Sequence, residues 1–366
     1  MDKYNANNLN PSIILSDIKA DAEQKAAQGN EENENIGLFR LRTANVVMKD
    51  AAKKPIPKML FDVLWFEGEL CILFADTGVG KSTLAVQIAD SISKGLPIQG
   101  FELEVLAQLV IYFDFELSDK QFEKRYTNNF INPNKFNDNF IRSDFSDAEI
   151  PDGVDYNKYL YDCFESVAQR YPACKIFIID NLTKLRTLDT DKAKEAKPLM
   201  DFLDKFKKKY GLSILALEHT RKRDESREIS LNDLQGSAMK SRFIDAAFAI
   251  GRSSHDAKIR YIKQMKERSA EKEYDSENVI VCKMDKPDNF LQYEFLNYSN
   301  EREHLKIESN DSKNELESKV AEILKSSPTE KVYSIARSLC TDENKFESFR
   351  VKIDRIVKRI QKRNKT

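Results

Sequence analysis

The feature that most constrains this chain is the run Ala75-Asp76-Thr77-Gly78-Val79-Gly80-Lys81-Ser82. It follows a β-branched, apolar stretch at 71–74 that reads as a strand, and it opens a helical stretch at 82–94 in which Leu84, Ala85, Ile88, Ala89 and Ile92 share one face. A glycine turn between strand and helix that ends in Lys-Ser is the phosphate-loop pattern, with Ala75 in the place of the first glycine. The chemistry explains the residue types. Gly78 and Gly80 let the backbone wrap so closely that consecutive N–H groups point at phosphate oxygens, and the helix start adds positive potential. Lys81 reaches the terminal phosphates of ATP and Ser82 offers a hydroxyl to Mg²⁺. Asp76, Thr77, Gly78, Val79, Gly80, Lys81, Ser82 and Thr83 are the candidate nucleotide-binding residues.

From about 59 to 300 short apolar runs alternate with helical patterns. The runs lie at 70–74, 109–113, 175–179, 213–217, 246–250, 260–262 and 279–282. Nearly continuous apolar strands separated by helices predict an α/β fold with a mainly parallel sheet covered by helices. The last runs follow one another without helices, so the sheet is expected to end in antiparallel strands. Residues 1–55 form a polar N-terminal segment, Asn- and Glu-rich up to 35, with scattered apolar positions at 36–54 and the punctuation Pro55-Ile56-Pro57. The main domain is expected at 56–300, a linker at 301–313 and a small helical unit at 314–366. Helices at 315–325, 331–340 and 344–362 suit a helix-turn-helix or winged-helix-like module. Between Arg350 and Thr366 stand eight Lys or Arg and one acid, Asp354.

A second element agrees with the phosphate loop. Lys175-Ile176-Phe177-Ile178-Ile179-Asp180 is an apolar strand ending in a carboxylate that can hold Mg²⁺ across from Ser82. The next residue is Asn181 rather than a glutamate, so a catalytic base must come from elsewhere. The strand at 109–113 runs into Asp114-Phe115-Glu116, and two residues apart in an extended strand these carboxylates share a face.

In this order of elements the chain resembles the RecA-type phosphate-loop ATPases and, within them, the hexameric replicative helicases of the DnaB and plasmid RepA kinds. The resemblance covers residues 56–300. It implies Glu116 as the base that activates water, with Asp114 the competing candidate. It implies His219, at the end of Ser213-Ile214-Leu215-Ala216-Leu217-Glu218-His219, as a sensor of the γ-phosphate, with Glu218 the alternative. The loop at 220–234 corresponds to a DNA-binding loop and supplies Arg221, Lys222, Arg223 and Arg227, although its acids bring its net charge to zero. The segment 183–197, with Lys184, Arg186, Lys192 and Lys194, stands where such rings place their other DNA loop. Lys266 and Arg268 match the K-x-R element that reaches into a neighbouring subunit's ATP site. The implied cofactors are ATP and Mg²⁺. The implied partners are further copies in a hexameric ring, single-stranded DNA, and a primase or initiator protein of a plasmid or other mobile element. No DnaB-type helical domain precedes the core, so the segment 36–54 is expected to dock on a neighbouring subunit instead.

Composition narrows the alternatives. Fifty-nine Lys and Arg against 60 Asp and Glu exclude a wholesale polycation, so nucleic acid must be met by local patches. No apolar run has the length of a membrane span and the start is not a signal peptide, which predicts a cytoplasmic protein. Five cysteines without a C-x-x-C pair, and three histidines, suit neither a disulfide framework nor a zinc site. Two rival functions remain: a non-unwinding ATPase that loads or regulates in recombination, transposition or defence, and a small-molecule kinase.

Overall fold

A computed structural model describes residues 34–146, 150–185, 192–221, 223–306, 310–340 and 346–363. The expectation for residues 1–33 lies outside them. The chain divides into two compact units, one ending at Pro57 and one beginning at Lys58. In the first, strands β1 (Glu34–Ile36) and β2 (Phe39–Leu41) pair antiparallel across a turn where Gly37 takes a positive φ of 57°. Helix α1 (Ala44–Ala51) follows, its start capped by the Thr43 hydroxyl, which accepts from the Val46 N–H. No described residue of this unit is buried, and Leu38 is fully exposed.

The second unit opens with a short antiparallel pair, β3 (Met59–Phe61) and β4 (Trp65–Phe66). Strand β5 (Leu70–Ala75) then leads through the phosphate loop into α2 (Lys81–Lys94). Next come β6 (Val110–Asp114), α3 (Asp119–Arg125), the small pair β7 (Thr127–Asn128) and β8 (Asn132–Pro133), and β9 (Phe140–Ser143). Helix α4 (Tyr156–Arg170), β10 (Ile176–Asp180), α5 (Lys192–Tyr210) and β11 (Ser213–His219) continue the alternation. The short α6 (Ser237–Lys240) precedes β12 (Ala246–Arg252), β13 (Ile259–Lys266), β14 (Val279–Asp285) and β15 (Gln292–Ser299).

Nine strands form one sheet in the order β15-β14-β13-β12-β5-β11-β10-β6-β9. The six from β12 to β9 are parallel, and β13, β14 and β15 add an antiparallel end, as the uninterrupted final runs predict. The α/β expectation therefore holds. Alternation along β5 sends Cys71, Leu73 and Ala75 to the α2 side and Leu70, Ile72 and Phe74 to the side covered by α4 and α5, so every residue of the strand is buried.

Three local expectations need correction. Helix α2 is buried nearly all round, including Gln87 and Ser91, because β15 covers the side that a one-faced helix would expose. Gln87 is matched to it: its Nε2 donates to the Tyr293 carbonyl at 3.0 Å and its Oε1 accepts from the Tyr293 N–H at 2.8 Å. The start of the expected linker is part of the core. Glu301 is fully buried and accepts from Lys263, from the Ile229 N–H at 2.7 Å and from Tyr261 at 3.2 Å. Strand β9 was not expected at all, since four residues carry too short a period to read.

The C-terminal helices α7 (Asn310–Ser326), α8 (Val332–Leu339) and α9 (Phe346–Arg363) enclose their own apolar cluster around Val320, Ile335, Ile353, Ile356 and Val357. No strand occurs among the described residues of this unit, so the winged variant has no wing there.

At the amino ends of the parallel strands lies a carboxylate cluster. Burial pushes Glu69 up to about 7 from its ordinary 4.5; hydrogen bonds from Ser269 and the Phe66 N–H oppose this, and Glu267 and Asp245 add repulsion. A carboxyl whose folded pKa is raised is destabilising once ionised, so this site weakens the fold as pH rises from about 4.5 to about 7. Glu69→Gln is expected to raise the melting temperature at pH 8 by roughly 2–4 °C and to change it little at pH 4.5, read by calorimetry.

Candidate nucleotide site

Strand β5 ends in the middle of the sheet, between β12 and β11, and delivers the phosphate loop to the carboxyl ends of all the parallel strands. Gly78 and Gly80 take positive φ angles of 73° and 114°. A Cβ on Gly78 would meet nothing within 4 Å, whereas one on Gly80 would lie 2.5 Å from the Tyr293 hydroxyl and 2.9 Å from the Met284 sulfur. Gly78 thus answers to conformation alone, and Gly80 to conformation and close approach. The back of the loop is held by its carbonyls. That of Val79 accepts from Arg260 Nε at 2.7 Å and from the Tyr293 hydroxyl at 3.1 Å, and that of Gly78 accepts from Arg252 at 3.4 Å. The Gly78 and Val79 carbonyls are thus turned into β12, β13 and β15, and apart from that of Val79, which donates to the Asp76 carbonyl at 3.4 Å, the loop's N–H groups are left for an anion.

Of the loop residues, Thr77 and Gly78 are exposed, Asp76, Gly80 and Ser82 are half-buried, and Val79, Lys81 and Thr83 are buried. The Lys81 ammonium donates to the carbonyls of Ala75 at 3.0 Å and Asp76 at 3.3 Å and lies 3.2 Å from His219 Nδ1. Burial lowers its pKa, and Asp180, Glu116 and Glu218 oppose that shift.

Asp180, fully buried, ends β10. One carboxylate oxygen accepts from the Tyr112 hydroxyl at 2.6 Å, while the other, Oδ1, has no hydrogen-bond partner. Burial pushes the group up to about 6; the Ser82 and Tyr112 hydroxyls hold it down only in part, and Ser82 does so without satisfying Oδ1. An orphaned carboxylate oxygen beside a serine hydroxyl fits a hard divalent cation that takes its other ligands from phosphates and water. No cluster of three or more His, Cys, Asp or Glu suited to a metal occurs among the described residues.

The two carboxylates that share a face in an extended strand are separated here. The strand stops at Asp114, whose carboxylate accepts from Arg142 Nε at 2.9 Å and from the N–H groups of Glu116 and Leu117. It is buried structural support for the turn. Glu116, an exposed residue whose side chain keeps 30% of its surface open, points instead toward the phosphate loop, accepting from Asn181 Nδ2 and lying 3.6 Å from His219 Nε2. Its bond with His219 leads in lowering its pKa, aided by the charge of Lys81 and by Asn181, against some burial. Asn181 also lies 3.2 Å from His219 Nε2, so Glu116, Asn181, His219 and Lys81 form one connected group. Glu218 does not face it. That carboxylate is fully buried, paired with Lys240 and accepting from the Thr183 hydroxyl at 2.8 Å.

The sequence matches the family described as AAA domain over residues 39–225, just over half the chain. The chain belongs to that family. With a phosphate loop at the centre of a mainly parallel sheet, this AAA domain is a RecA-like phosphate-loop ATPase. A KaiC-like protein, PH0186 from the archaeon Pyrococcus horikoshii OT3, is a similar solved structure. It is 12% identical, with a TM-score of 0.42, over 63% of this chain and 90% of that one. No curated protein matches the sequence.

The remaining expected residues of this AAA domain fall in several places. Arg223 is not a surface cation: its side chain is 5% exposed and its Nε lies 3.5 Å from Asp76. Arg227 is paired with Asp233. Arg221 is exposed and makes no ion pair among the described residues, and Lys222 lies outside them. Lys184 is exposed, Arg186 lies outside the described residues, and Lys192 and Lys194 are in α5. Lys266 and Arg268 sit at the other end of the sheet. Lys266 Nζ donates to the carbonyls of Ser241 and Ile244, and Arg268 pairs with Asp245 at 3.1 Å. Lys266 lies opposite Ala247 while the phosphate loop begins opposite Ile250, which puts the pair roughly 10 Å or more from their own loop.

Sequence reasoning missed Tyr112, Arg142, Arg260 and Tyr293. No local signal marks them, because each reaches the site from a distant strand. Gly80→Ala is expected to weaken nucleotide binding at least about tenfold through its φ and the Tyr293 hydroxyl. Adding Tyr293→Phe is expected to restore part of that loss, measured by titration with a fluorescent ATP analogue.

Proposed function

We propose that this AAA domain protein is a Mg²⁺-dependent ATPase whose turnover drives movement on single-stranded DNA, as a RepA-like replicative helicase assembled from several copies in a hexameric ring. One observation carries the reading: the groups that surround the phosphate loop are tied to both loops expected at DNA, directly to the one at 220–234 and through Glu218 to the other. Thr220 and Arg223, in the loop at 220–234, hold the Asp76 carboxylate, and the Thr220 hydroxyl donates to it. Thr183, at the start of the other loop, donates to Glu218, whose neighbour His219 touches Lys81 and lies near Glu116.

The chemistry follows from those positions. Ser82 and the free oxygen of Asp180 would hold Mg²⁺, which supplies charge neutralisation on the phosphates. Lys81 leaves the carbonyls of Ala75 and Asp76 to meet phosphate oxygens. Glu116, kept ionised by His219 and Lys81, orients the attacking water and takes its proton, while Asn181 fixes the carboxylate's direction. His219 answers to the γ-phosphate, and its movement pulls on the Glu218 strand end. Arg268, exposed and far from its own loop, would act on a neighbouring copy; Lys266, bound inward, anchors the end of β13 just before it. A primase or initiator protein is the partner expected to load such a ring in a mobile element.

A second reading, a nucleotide-switched regulator that does not unwind, is favoured by the state of the loop at 220–234. With Arg223 and Arg227 engaged internally, Arg221 is its exposed, unpaired cation among the described residues. A forked-duplex assay separates the two: ATP-dependent strand separation supports the helicase, and DNA-stimulated hydrolysis without separation rejects it.

Glu116→Gln is expected to keep ATP binding and lose hydrolysis by roughly 10²–10⁴-fold. Near-normal turnover in that variant would remove Glu116 from the base role. Mixing Arg268→Ala subunits with wild type is expected to depress activity more steeply than dilution, whereas a strictly linear loss would exclude action across subunits.

A further inference from the structure

Helix α9 buries one stripe and leaves a neighbouring one bare. Ile353, Ile356 and Val357 pack inside the three-helix cluster, while Val351, Lys352, Arg355 and Arg359 are exposed. Lys352, Arg355 and Arg359 follow one another at spacings of three and four, one cationic line spanning about 10 Å of helix. Arg359 is partly neutralised by Glu317 at 3.2 Å. Lys352 and Arg355 make no ion pair with any described residue.

The first turns of this line sit beside α8. Tyr333, near the start of α8, meets Phe346, the first residue of α9, edge-on at 5.3 Å, and the Arg337 guanidinium lies over the same ring at 5.6 Å. Two helices are thereby joined at the amino end of the longer one. Tyr333 is 55% exposed and Val351 is 46% exposed beside Lys352.

We propose that this face of α9 docks in the major groove of double-stranded DNA, with α8 against the backbone. A duplex groove admits a single helix whose line of cations meets phosphates on both sides, and an exposed aliphatic such as Val351 suits a thymine methyl. A single strand would call for aromatic platforms along the line, and α9 turns its own, Phe346 and Phe349, toward the bundle. An acidic protein would be met by charge alone and would leave Val351 without a role. The duplex contact itself stands on α9 alone; its use as a tether to duplex flanking the track of the ATPase rests on the function proposed above.

The test uses the full chain, a fluorescein-labelled 24-base-pair duplex and the matching single strand, read by anisotropy across a salt series. The Lys352→Gln/Arg355→Gln variant is expected to bind duplex at least tenfold more weakly, with the slope of log affinity against log salt reduced by about two. Val351→Glu, exposed and so harmless to folding, is expected to abolish duplex binding. Stimulation of ATP hydrolysis by single strands is expected to stay unchanged in both. Unchanged duplex affinity would overturn the proposal. So would an equal loss of single-strand binding, or competition by polyglutamate as effective as unlabelled duplex.

Discussion

Burial of β5 on both faces, with hydrogen-bonded neighbours on both edges, is the constraint on which the site depends. The strand can neither slide nor tilt without exposing Leu70–Ala75 or breaking its ladders to β11 and β12. The phosphate loop inherits that rigidity and is pressed from behind by Arg260 and Tyr293. Gln87 closes the arrangement by fixing the Tyr293 backbone to α2, the helix that the loop itself begins. Loop, helix and antiparallel end of the sheet therefore move together or not at all.

Within this frame, burial and charge separate three carboxylates that look alike in the sequence. Asp114 is spent on Arg142 and on the turn after β6. Asp180 is pushed up by burial and keeps one oxygen without a hydrogen-bond partner, which suits the metal role proposed for it. Glu116 is held down chiefly by His219, which suits a proton acceptor at neutral pH. Such divergence of environment among neighbouring acids would let one site serve both roles proposed for it, metal holding and water activation.

Much of this was legible in advance, for identifiable reasons. The phosphate loop and the apolar strand ending in Asp180 were readable because their patterns are local: a glycine turn, a Lys-Ser and a short apolar run with a carboxylate at its end. The parallel sheet was readable because strands buried on both faces are continuously apolar. Arg223 was misread because a basic run in a loop carries no mark of which cation turns inward; only Asp76, far away in sequence, decides it. The supposed linker after 300 was misread for the same reason, since Glu301 looks like a surface acid until Lys263 and Tyr261 meet it.

By itself, then, the sequence determined that this chain binds a nucleotide on an α/β frame, since residue type and period settle both within short windows. Which carboxylate faces the phosphate loop, which arginines stay exposed, and that Tyr293 and Arg260 back the loop were decided only by tertiary structure. Those choices depend on groups brought together across more than a hundred residues, and contact at that separation is set by the packing of the sheet rather than by any local pattern.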